Sequence, residues 1–191
     1  MEIAATELED LFEIIWNTET IPGDWTKGII VKIPKKGDTT ICDNHRGINL
    51  LSVVPSKIFT RVIINWLYDE VNRLLRSGQA GFRRGRSTTE QIFILRNIIK
   101  QSIEWQLPIY INFIDFEKAF DSVHRDSLWT IMKYYGIPEK IVKMIKLLYE
   151  DTECTVSDGG KESTWFKIKT GVKHGCSLSG LYSSCWSQTG S

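Results

Sequence analysis

The sequence has no long apolar run, and this absence removes the simplest class of membrane protein. No apolar stretch approaches the roughly 20 residues that a membrane-spanning helix needs. The chain begins Met-Glu-Ile, without the basic residues and apolar stretch of a secretory signal peptide. We therefore expect a soluble intracellular protein, nuclear or cytoplasmic, that makes no membrane contact.

Cysteine is scarce, and the four cysteines are widely separated. They are Cys42, Cys154, Cys176 and Cys185, and no two form a C-x-x-C pair. Structural zinc sites usually use such pairs, so a zinc site is disfavoured. The sequence also lacks a G-x-x-x-x-G-K-[ST] phosphate loop, an H-E-x-x-H pair and a dinucleotide-binding glycine fingerprint. ATPase, zinc-protease and dehydrogenase functions lose their usual support.

An excess of charge of one sign is also absent, since 24 basic residues balance 23 acidic residues to a net charge of +1. The total charge gives no support to nucleic-acid binding, so only the local distribution of charge can. Hydrophobic residues make up 42% and charged residues 25%, which is ordinary globular composition. The length of 191 residues suits one domain, or one subdomain with part of another.

Hydrophobic periodicity and breaker residues predict a mixed order of helices and strands, which indicates the α+β class. Ser87 and Glu90 form a capping box that opens one of the helices. The predicted helices cover about 4–17, 55–74, 87–99, 125–135 and 138–150, and the predicted strands cover 29–33 and 109–114, followed by a hairpin within 153–172.

Residues 113–121, Phe-Ile-Asp-Phe-Glu-Lys-Ala-Phe-Asp, place the carboxylate of Asp115 at the end of a predicted apolar strand. Mg²⁺ is usually held by one or two carboxylates together with substrate phosphates. Two such ions about 4 Å apart stabilise the attacking and leaving oxygens of a phosphoryl transfer. Alternatively, Asp115 only starts a turn, and for an isolated aspartate after a strand this is the favoured interpretation.

Two basic stretches could contact phosphate groups. Arg83, Arg84 and Arg86 lie in a glycine-rich loop directly before a helix N-terminus, where guanidinium and backbone N–H groups suit phosphate oxygens. A solvated loop is about as well supported. The stretch 27–46 contains five basic and two acidic residues, and an exposed edge hairpin is its favoured alternative.

Residues 171–179, Gly-Val-Lys-His-Gly-Cys-Ser-Leu-Ser, form a glycine-rich loop after the predicted hairpin. His174 and Cys176 suggest a nucleophilic dyad. That interpretation is disfavoured, because neither a glycine-flanked elbow nor a third orienting group accompanies the two residues.

The order of these stretches, unlike any one of them, is specific. The blocks IPGDWTKGIIVKIPKKGD, NHRGINLLSVVPSKIFTRVI, QAGFRRGRSTTEQIF, FIDFEKAFDSVHR and GVKHGCSLS follow one another along the chain. In this order they closely resemble the reverse transcriptase of non-LTR retrotransposons, over about residues 8–180. The resemblance implies a right-hand polymerase fold, with the fingers and the first part of the palm. Residues 1–20 would be a helical lead-in, 21–180 the reverse transcriptase domain and 181–191 an atypical tail.

The resemblance also implies roles for residues around the first palm motif. Asp115 would be the catalytic carboxylate and a ligand of both metal ions, and the backbone carbonyl of Phe116 would be a further ligand. The ions would be two Mg²⁺, with Mn²⁺ as an alternative. Phe120 would lie under the sugar and exclude a ribose 2′-OH, which selects deoxynucleotides. Asp121 is expected to be structural.

The remaining blocks would contact nucleotide and template. Lys35, Lys36 and Arg46 resemble the fingers residues that approach the incoming triphosphate. His174 and Gly175 resemble the pair that positions the nucleotide. His174 stands where the family usually has glutamine, and it can still donate one hydrogen bond. Arg83, Arg84 and Arg86 would contact the template. The implied partners are an RNA template, a DNA primer and deoxynucleoside triphosphates.

The family's second palm motif, an aromatic-x-Asp-Asp hairpin, is expected after GVKHGCSLS, but no aspartate follows Asp158. We therefore expect the chain to be catalytically incomplete alone. The small and polar residues of 181–191 suggest a frameshift, which the genomic sequence around codon 180 would disprove if it offers no suitable frame. The alternatives are a non-catalytic nucleic-acid-binding remnant and a gene-prediction fragment with no stable folded product.

Overall fold

The computed structural model describes residues 2–51, 53–115 and 118–173. Helices and strands are mixed along this part of the chain, in agreement with the predicted α+β class. The helices are α1 (Glu2–Thr18), α2 (Val54–Leu74), α3 (Thr88–Glu104), α4 (Arg125–Tyr134) and α5 (Glu139–Leu147). The strands are β1 (Lys27–Pro34), β2 (His45–Leu51), β3 (Glu153–Asp158), β4 (Lys161–Glu162) and β5 (Phe166–Lys167).

The sheet is built around β1, which pairs with β2 in an antiparallel and with β3 in a parallel arrangement. The central run Ile29-Ile30-Val31 is β-branched, and such residues fit a pleated surface with neighbours on both sides. A parallel pair requires a crossover connection, and α2 to α5 lie between β1 and β3 in sequence. β4 and β5 both pair with β3, which confirms the predicted hairpin.

One face of α2 enters the core. Phe59, Ile63, Leu67 and Val71 are buried and recur every four residues, which places them on one side of the helix. The sequence predicts this helix correctly, and Ile58 and Trp66, which lie outside the buried face, are exposed. The buried core also contains Ile15, Trp25, Leu128, Trp129, Met132, Ile141, Val142, Met144, Ile145, Leu148 and Tyr149.

α1 packs on the same core as the later helices. Ile15 is buried, and the Phe12 ring lies 5.3 Å from the Phe59 ring, centroid to centroid. The Phe59 ring in turn lies 5.6 Å from that of Trp25. The predicted lead-in helix is therefore in contact with the elements that follow it. The boundary after residue 20 stays a prediction.

The predicted strand at 109–114 is wrong. These residues form no regular secondary structure, and the side chains of Tyr110, Phe113 and Ile114 are exposed. A strand is stabilised by pairing with a neighbour, and the segment appears in none of the strand pairs of the described chain. High β-propensity alone therefore does not make it a strand.

α3 has the N-terminus that the sequence predicts. The Ser87 side chain accepts a hydrogen bond from the Glu90 backbone N–H at 3.3 Å. None of the α3 residues is buried. Within the described ranges, no helix is both long and apolar enough to cross a bilayer.

Candidate nucleic-acid and nucleotide site

The three basic residues that are expected to approach the triphosphate lie at one end of the β1–β2 hairpin. Lys35 and Lys36 directly follow β1, and Arg46 is the second residue of β2, opposite Ile33. The Lys35 ammonium donates to the Asp43 carbonyl at 3.2 Å, which holds the turn closed. Lys36 and Arg46 are exposed. Because β2 lies at the edge of the sheet formed by the described strands, the hairpin also fits the alternative of an ordinary edge protected by lysine.

Arg83 is bonded within the protein. Its guanidinium donates to the Asn72 side chain at 2.8 Å, and to the carbonyls of Arg76 at 2.9 Å and Gln79 at 3.3 Å. These bonds attach the glycine-rich loop to the end of α2. A guanidinium has five donors in a fixed fork, so donors used in this way favour a structural role for Arg83.

Arg84 and Arg86 are the more accessible arginines of this loop. Arg84 lies over the ring of Tyr68, 4.4 Å from its centroid, and donates to the Asn65 side chain at 2.7 Å. Both arginines are exposed. Stacking on Tyr68 orients the Arg84 guanidinium while leaving it open to solvent, so an anion can approach it.

Asp115 lies in the exposed, irregular segment after α3. Phe116, the second predicted metal ligand, lies outside the described residues. In the described parts of the chain, no group of three or more His, Cys, Asp or Glu side chains could hold a metal ion. Asp115 can offer one carboxylate to an ion, and Mg²⁺ sites with one or two protein carboxylates complete their shell with phosphates and water. The role of Asp115 as a metal ligand stays a prediction.

Phe120 stands in a tight turn that begins at Lys118, whose φ is +52°. The backbone N–H groups of Asp121 and Ser122 both donate to the Lys118 carbonyl, at 2.9 and 3.0 Å. The Phe120 ring lies 6.4 Å from the Phe82 ring, in an edge-on arrangement. This contact brings the glycine-rich loop against the turn that holds Phe120, although α3 separates the two in sequence.

The Phe120 turn also pairs with the start of the GVKHG block. Gly171 N–H donates to the Val123 carbonyl, and Val172 N–H donates to the Phe120 carbonyl, both at 2.9 Å. A Cβ on Gly171 would lie 2.7 Å from the Asp121 carbonyl oxygen, and its φ is +77°. Only glycine allows this close approach of the two backbones.

Asn49 and Cys154 form a polar contact inside the sheet that the sequence does not predict. The Asn49 side chain crosses β1 above Gly28 and donates to the Cys154 sulfur at 3.3 Å. Burial raises the pKa of the Cys154 thiol. Both residues are buried in the described structure, so the contact is part of the sheet's interior.

A cleft of about 220 Å³ lies between the sheet and the Phe120 turn. Gly47, Asn49, Asp121 and Lys173 line it with others. Lys173 is buried, and its ammonium donates to the carbonyls of Trp25 and Leu148, at 3.2 Å each. His174, Gly175 and Cys176 lie outside the described residues.

A family model described as reverse transcriptase (RNA-dependent DNA polymerase) matches residues 33–187. The chain belongs to this family. The match includes most of the five motif blocks, and the relatives identify the non-LTR retrotransposon type. Reverse transcriptases use divalent metal ions.

Two relatives illustrate the similarity. A probable RNA-directed DNA polymerase from transposon BS of Drosophila melanogaster is 31% identical over 90% of this chain and 19% of its own. A retrovirus-related Pol polyprotein from the type-1 retrotransposable element R2 of Popillia japonica is 28% identical, over 83% of this chain and 22% of its own. The chain spans 12% to 22% of the length of the curated relatives that it matches.

The fold resembles that of a solved telomerase. Apo telomerase from Candida tropicalis, truncated from its C-terminal domain, superposes with a TM-score of 0.58 at 17% identity. The superposition covers 99% of this chain and 44% of the telomerase chain. The architecture is therefore part of a right-hand polymerase fold, as the resemblance implied.

Proposed function

We propose that this chain serves RNA-directed DNA synthesis by supplying the fingers and the first part of the palm of a reverse transcriptase. The observation that carries the proposal is the contact of Phe120 with Phe82 and with Val172. Three blocks that are separate in sequence meet at this point. Such convergence is what a shared binding site for nucleotide and template requires.

Asp115 would be the carboxylate that holds Mg²⁺, or Mn²⁺ as an alternative, with the Phe116 carbonyl beside it. When bound, the metal would supply charge stabilisation for phosphoryl transfer. The exposure of Asp115 supports this role, since the carboxylate is open to a metal ion that also binds a substrate phosphate. One carboxylate does not complete a two-metal site, so we expect the chain alone to be inactive.

Phe120 would contact the sugar of the nucleotide and exclude a 2′-OH. Its ring is half-buried, packs against the core and lies 6.4 Å from the Phe82 ring. The core contact limits how far the ring can move aside, because packed side chains have few alternative positions. Lys35, Lys36 and Arg46 would approach the triphosphate from the hairpin end, and His174 with Gly175 would position the nucleotide.

Arg84 and Arg86 would bind the template backbone, with Arg83 holding their loop in place. Both are exposed, and they are adjacent to the helix that Ser87 caps. Contacts of this kind bind phosphates without reading sequence. The partners would be an RNA template and a DNA primer, with deoxynucleoside triphosphates as substrates.

A second candidate is nucleic-acid binding without catalysis. The observation that favours it is the lack of a cluster of three metal-ligating side chains in the described parts of the chain. The two candidates share the basic surfaces and differ in whether deoxynucleotides are recognised. A nucleotide-binding measurement therefore separates them.

The proposal is tested by titrating an RNA–DNA duplex into the chain at several salt concentrations. We expect affinity to fall steeply with salt. The double change Arg84→Ala and Arg86→Ala should lower the slope by about 1 for each phosphate that is no longer neutralised. Lys143→Ala with Lys146→Ala, on α5, is the control for equal loss of charge. Asp115→Asn should leave duplex binding unchanged. An affinity that is independent of salt and of both arginines would contradict the proposal.

Nucleotide recognition is measured separately, with Mg²⁺ and a deoxynucleoside or ribonucleoside triphosphate. We expect tighter binding of the deoxynucleotide and loss of this preference in Phe120→Ala. Duplex binding with no nucleotide binding would support the second candidate. Measurable primer extension would show that the chain is catalytically complete, contrary to our expectation.

A further inference from the structure

Arg125, the first residue of α4, uses its guanidinium on backbone carbonyls. It donates to Gly171 at 2.9 Å, Tyr149 at 2.9 Å, Ile168 at 3.1 Å and Thr170 at 3.4 Å. The guanidinium is half-buried and lies 5.2 Å from the centroid of the Tyr149 ring. No ion pair with Arg125 occurs in the part of the chain that the structure covers.

Three of these acceptors lie just before the GVKHG block or within it, and Arg125 itself follows the Phe120 turn. Gly171 is bonded on both sides, because its N–H donates to Val123 and its carbonyl accepts from Arg125. Val172 is bonded to the Phe120 carbonyl. The Arg125 side chain thus adds further hydrogen bonds to the two backbone hydrogen bonds that join the Phe120 turn to Gly171 and Val172.

We infer that Arg125 is a positioning residue that fixes the Phe120–Val123 turn against the segment 168–173. This inference rests on the proposed function, in which Phe120 contacts the sugar and the residues after Lys173 contact the nucleotide. The spacing between these two parts sets how closely the Phe120 ring can approach a 2′ position. Arg125 therefore acts on sugar selection through other residues and touches no substrate.

Only arginine suits this position. Its planar fork presents five donors and reaches several carbonyls at once, whereas lysine offers one compact ammonium on a flexible stem. Arg125→Lys should keep the charge and recover part of the bonding. Arg125→Met should keep the apolar stem and remove all of the donors. Arg96→Met, at an exposed position on α3, is the matched control.

Hydrogen exchange of the whole chain tests the connection without reference to activity. In Arg125→Met we expect the amides of Gly171 and Val172 to exchange about tenfold faster, as removal of a hydrogen bond to a charged group predicts. Amides in the middle of α2 should be unchanged, and Arg125→Lys should be intermediate. Unchanged exchange at 171 and 172, or an equal acceleration in α2, would overturn the inference.

Nucleotide affinity tests the positioning role itself. Binding of dUTP and UTP, which differ only at the 2′ position, is measured with Mg²⁺ for each variant, and the ratio of the two dissociation constants is compared. We expect Arg125→Met to reduce the preference for dUTP, Arg125→Lys to restore part of it, and Arg96→Met to leave it unchanged. Faster exchange with an unaltered ratio would overturn the positioning role.

The two measurements distinguish this inference from the proposed function. If the unaltered chain shows no preference for dUTP over UTP, the proposed function fails, including the sugar-contact role of Phe120. The exchange of Gly171 and Val172 then decides alone whether Arg125 fixes the turn. Local acceleration in Arg125→Met would support that connection, and its absence would refute it.

Discussion

At Gly171 the chain has no room for a side chain. A Cβ would lie within 3 Å of backbone atoms of Phe120 and Asp121, and the positive φ adds conformational strain for any residue with a Cβ. The close approach is a direct consequence of the two hydrogen bonds that join the segment to the Phe120 turn.

We predict that Gly171→Ala lowers the free energy of unfolding by about 1–3 kcal/mol, because backbone strain of this kind costs that much. Denaturant unfolding monitored by tryptophan fluorescence gives the value. Gly78→Ala is the control, since a Cβ there meets nothing within 4 Å. Equal effects of the two substitutions would show that the close approach is not limiting.

Cys154 differs from Cys42 in its surroundings. Cys42 is exposed, whereas Cys154 is buried beside Asn49, and burial raises the pKa of its thiol. A raised pKa means that the reactive thiolate forms only at higher pH. The folded state therefore favours the protonated Cys154 thiol. The stability that this protonated thiol contributes is fully present below the pKa of the thiol in the unfolded chain. It is lost as the pH rises through the higher pKa of the folded state.

We predict that iodoacetamide at pH 8 modifies Cys42 much faster than Cys154 in the folded chain. Mass spectrometry of proteolytic peptides assigns the label to each cysteine. In urea the two rates should become similar, because unfolding removes the burial. Comparable labelling of both cysteines in the folded chain would contradict the buried position of Cys154.

At the scale of elements, α3 is the helix least supported by packing. It has no buried residue, so its stability depends on its own hydrogen bonds and on its cap. Ser87 supplies that cap by accepting the Glu90 N–H. The helix can therefore open without disturbing the core formed by α2, α4 and α5.

We predict that Ser87→Ala accelerates amide exchange in the first turns of α3 about fivefold, since removing such a cap costs about 1 kcal/mol. Ser87→Asp keeps the acceptor and should restore the rate. The buried amides of α5 should not respond. Acceleration throughout the molecule would mean that α3 unfolds together with the core.

At the scale of the whole molecule, α3 and the segment 107–115 each present large apolar side chains to solvent, and these side chains together are called the apolar surface. They include Ile92, Phe93, Ile103, Trp105, Leu107, Phe113 and Ile114, each more than half exposed. Exposed apolar side chains scattered singly are common on monomers, whereas those grouped into patches mark contacts with another chain.

We predict that the chain self-associates at micromolar concentrations through this surface. Sedimentation velocity across a concentration series measures it. The double change Ile92→Lys and Phe113→Lys should shift the chain toward monomer, whereas Ile41→Lys, at an exposed position on the β1–β2 hairpin, should not. A monomer at all concentrations would contradict the prediction.

The sequence by itself determined the family, the order of most elements and the cap of α3. These three features depend on residues that are close together in the chain, such as Ser87 and Glu90 in the cap or the consecutive residues of one motif. The proximity of Lys35, Lys36 and Arg46 also follows from local sequence, since the three residues lie on one short hairpin. The site roles of these residues and of Asp115 stay predictions.

Only the tertiary structure decided which apolar sequence patterns are buried and which of them form strands. Two apolar stripes run along α2, and packing buries the one with Ile63 and Leu67 while Trp66 stays largely exposed. The apolar segment 109–114 forms no strand, because a strand requires a paired neighbour. The parallel pairing of β1 with β3 and the junction of Arg125 with Gly171 join residues far apart in sequence. Local spacing carries no information about such partners, because their contact depends on how the intervening helices pack.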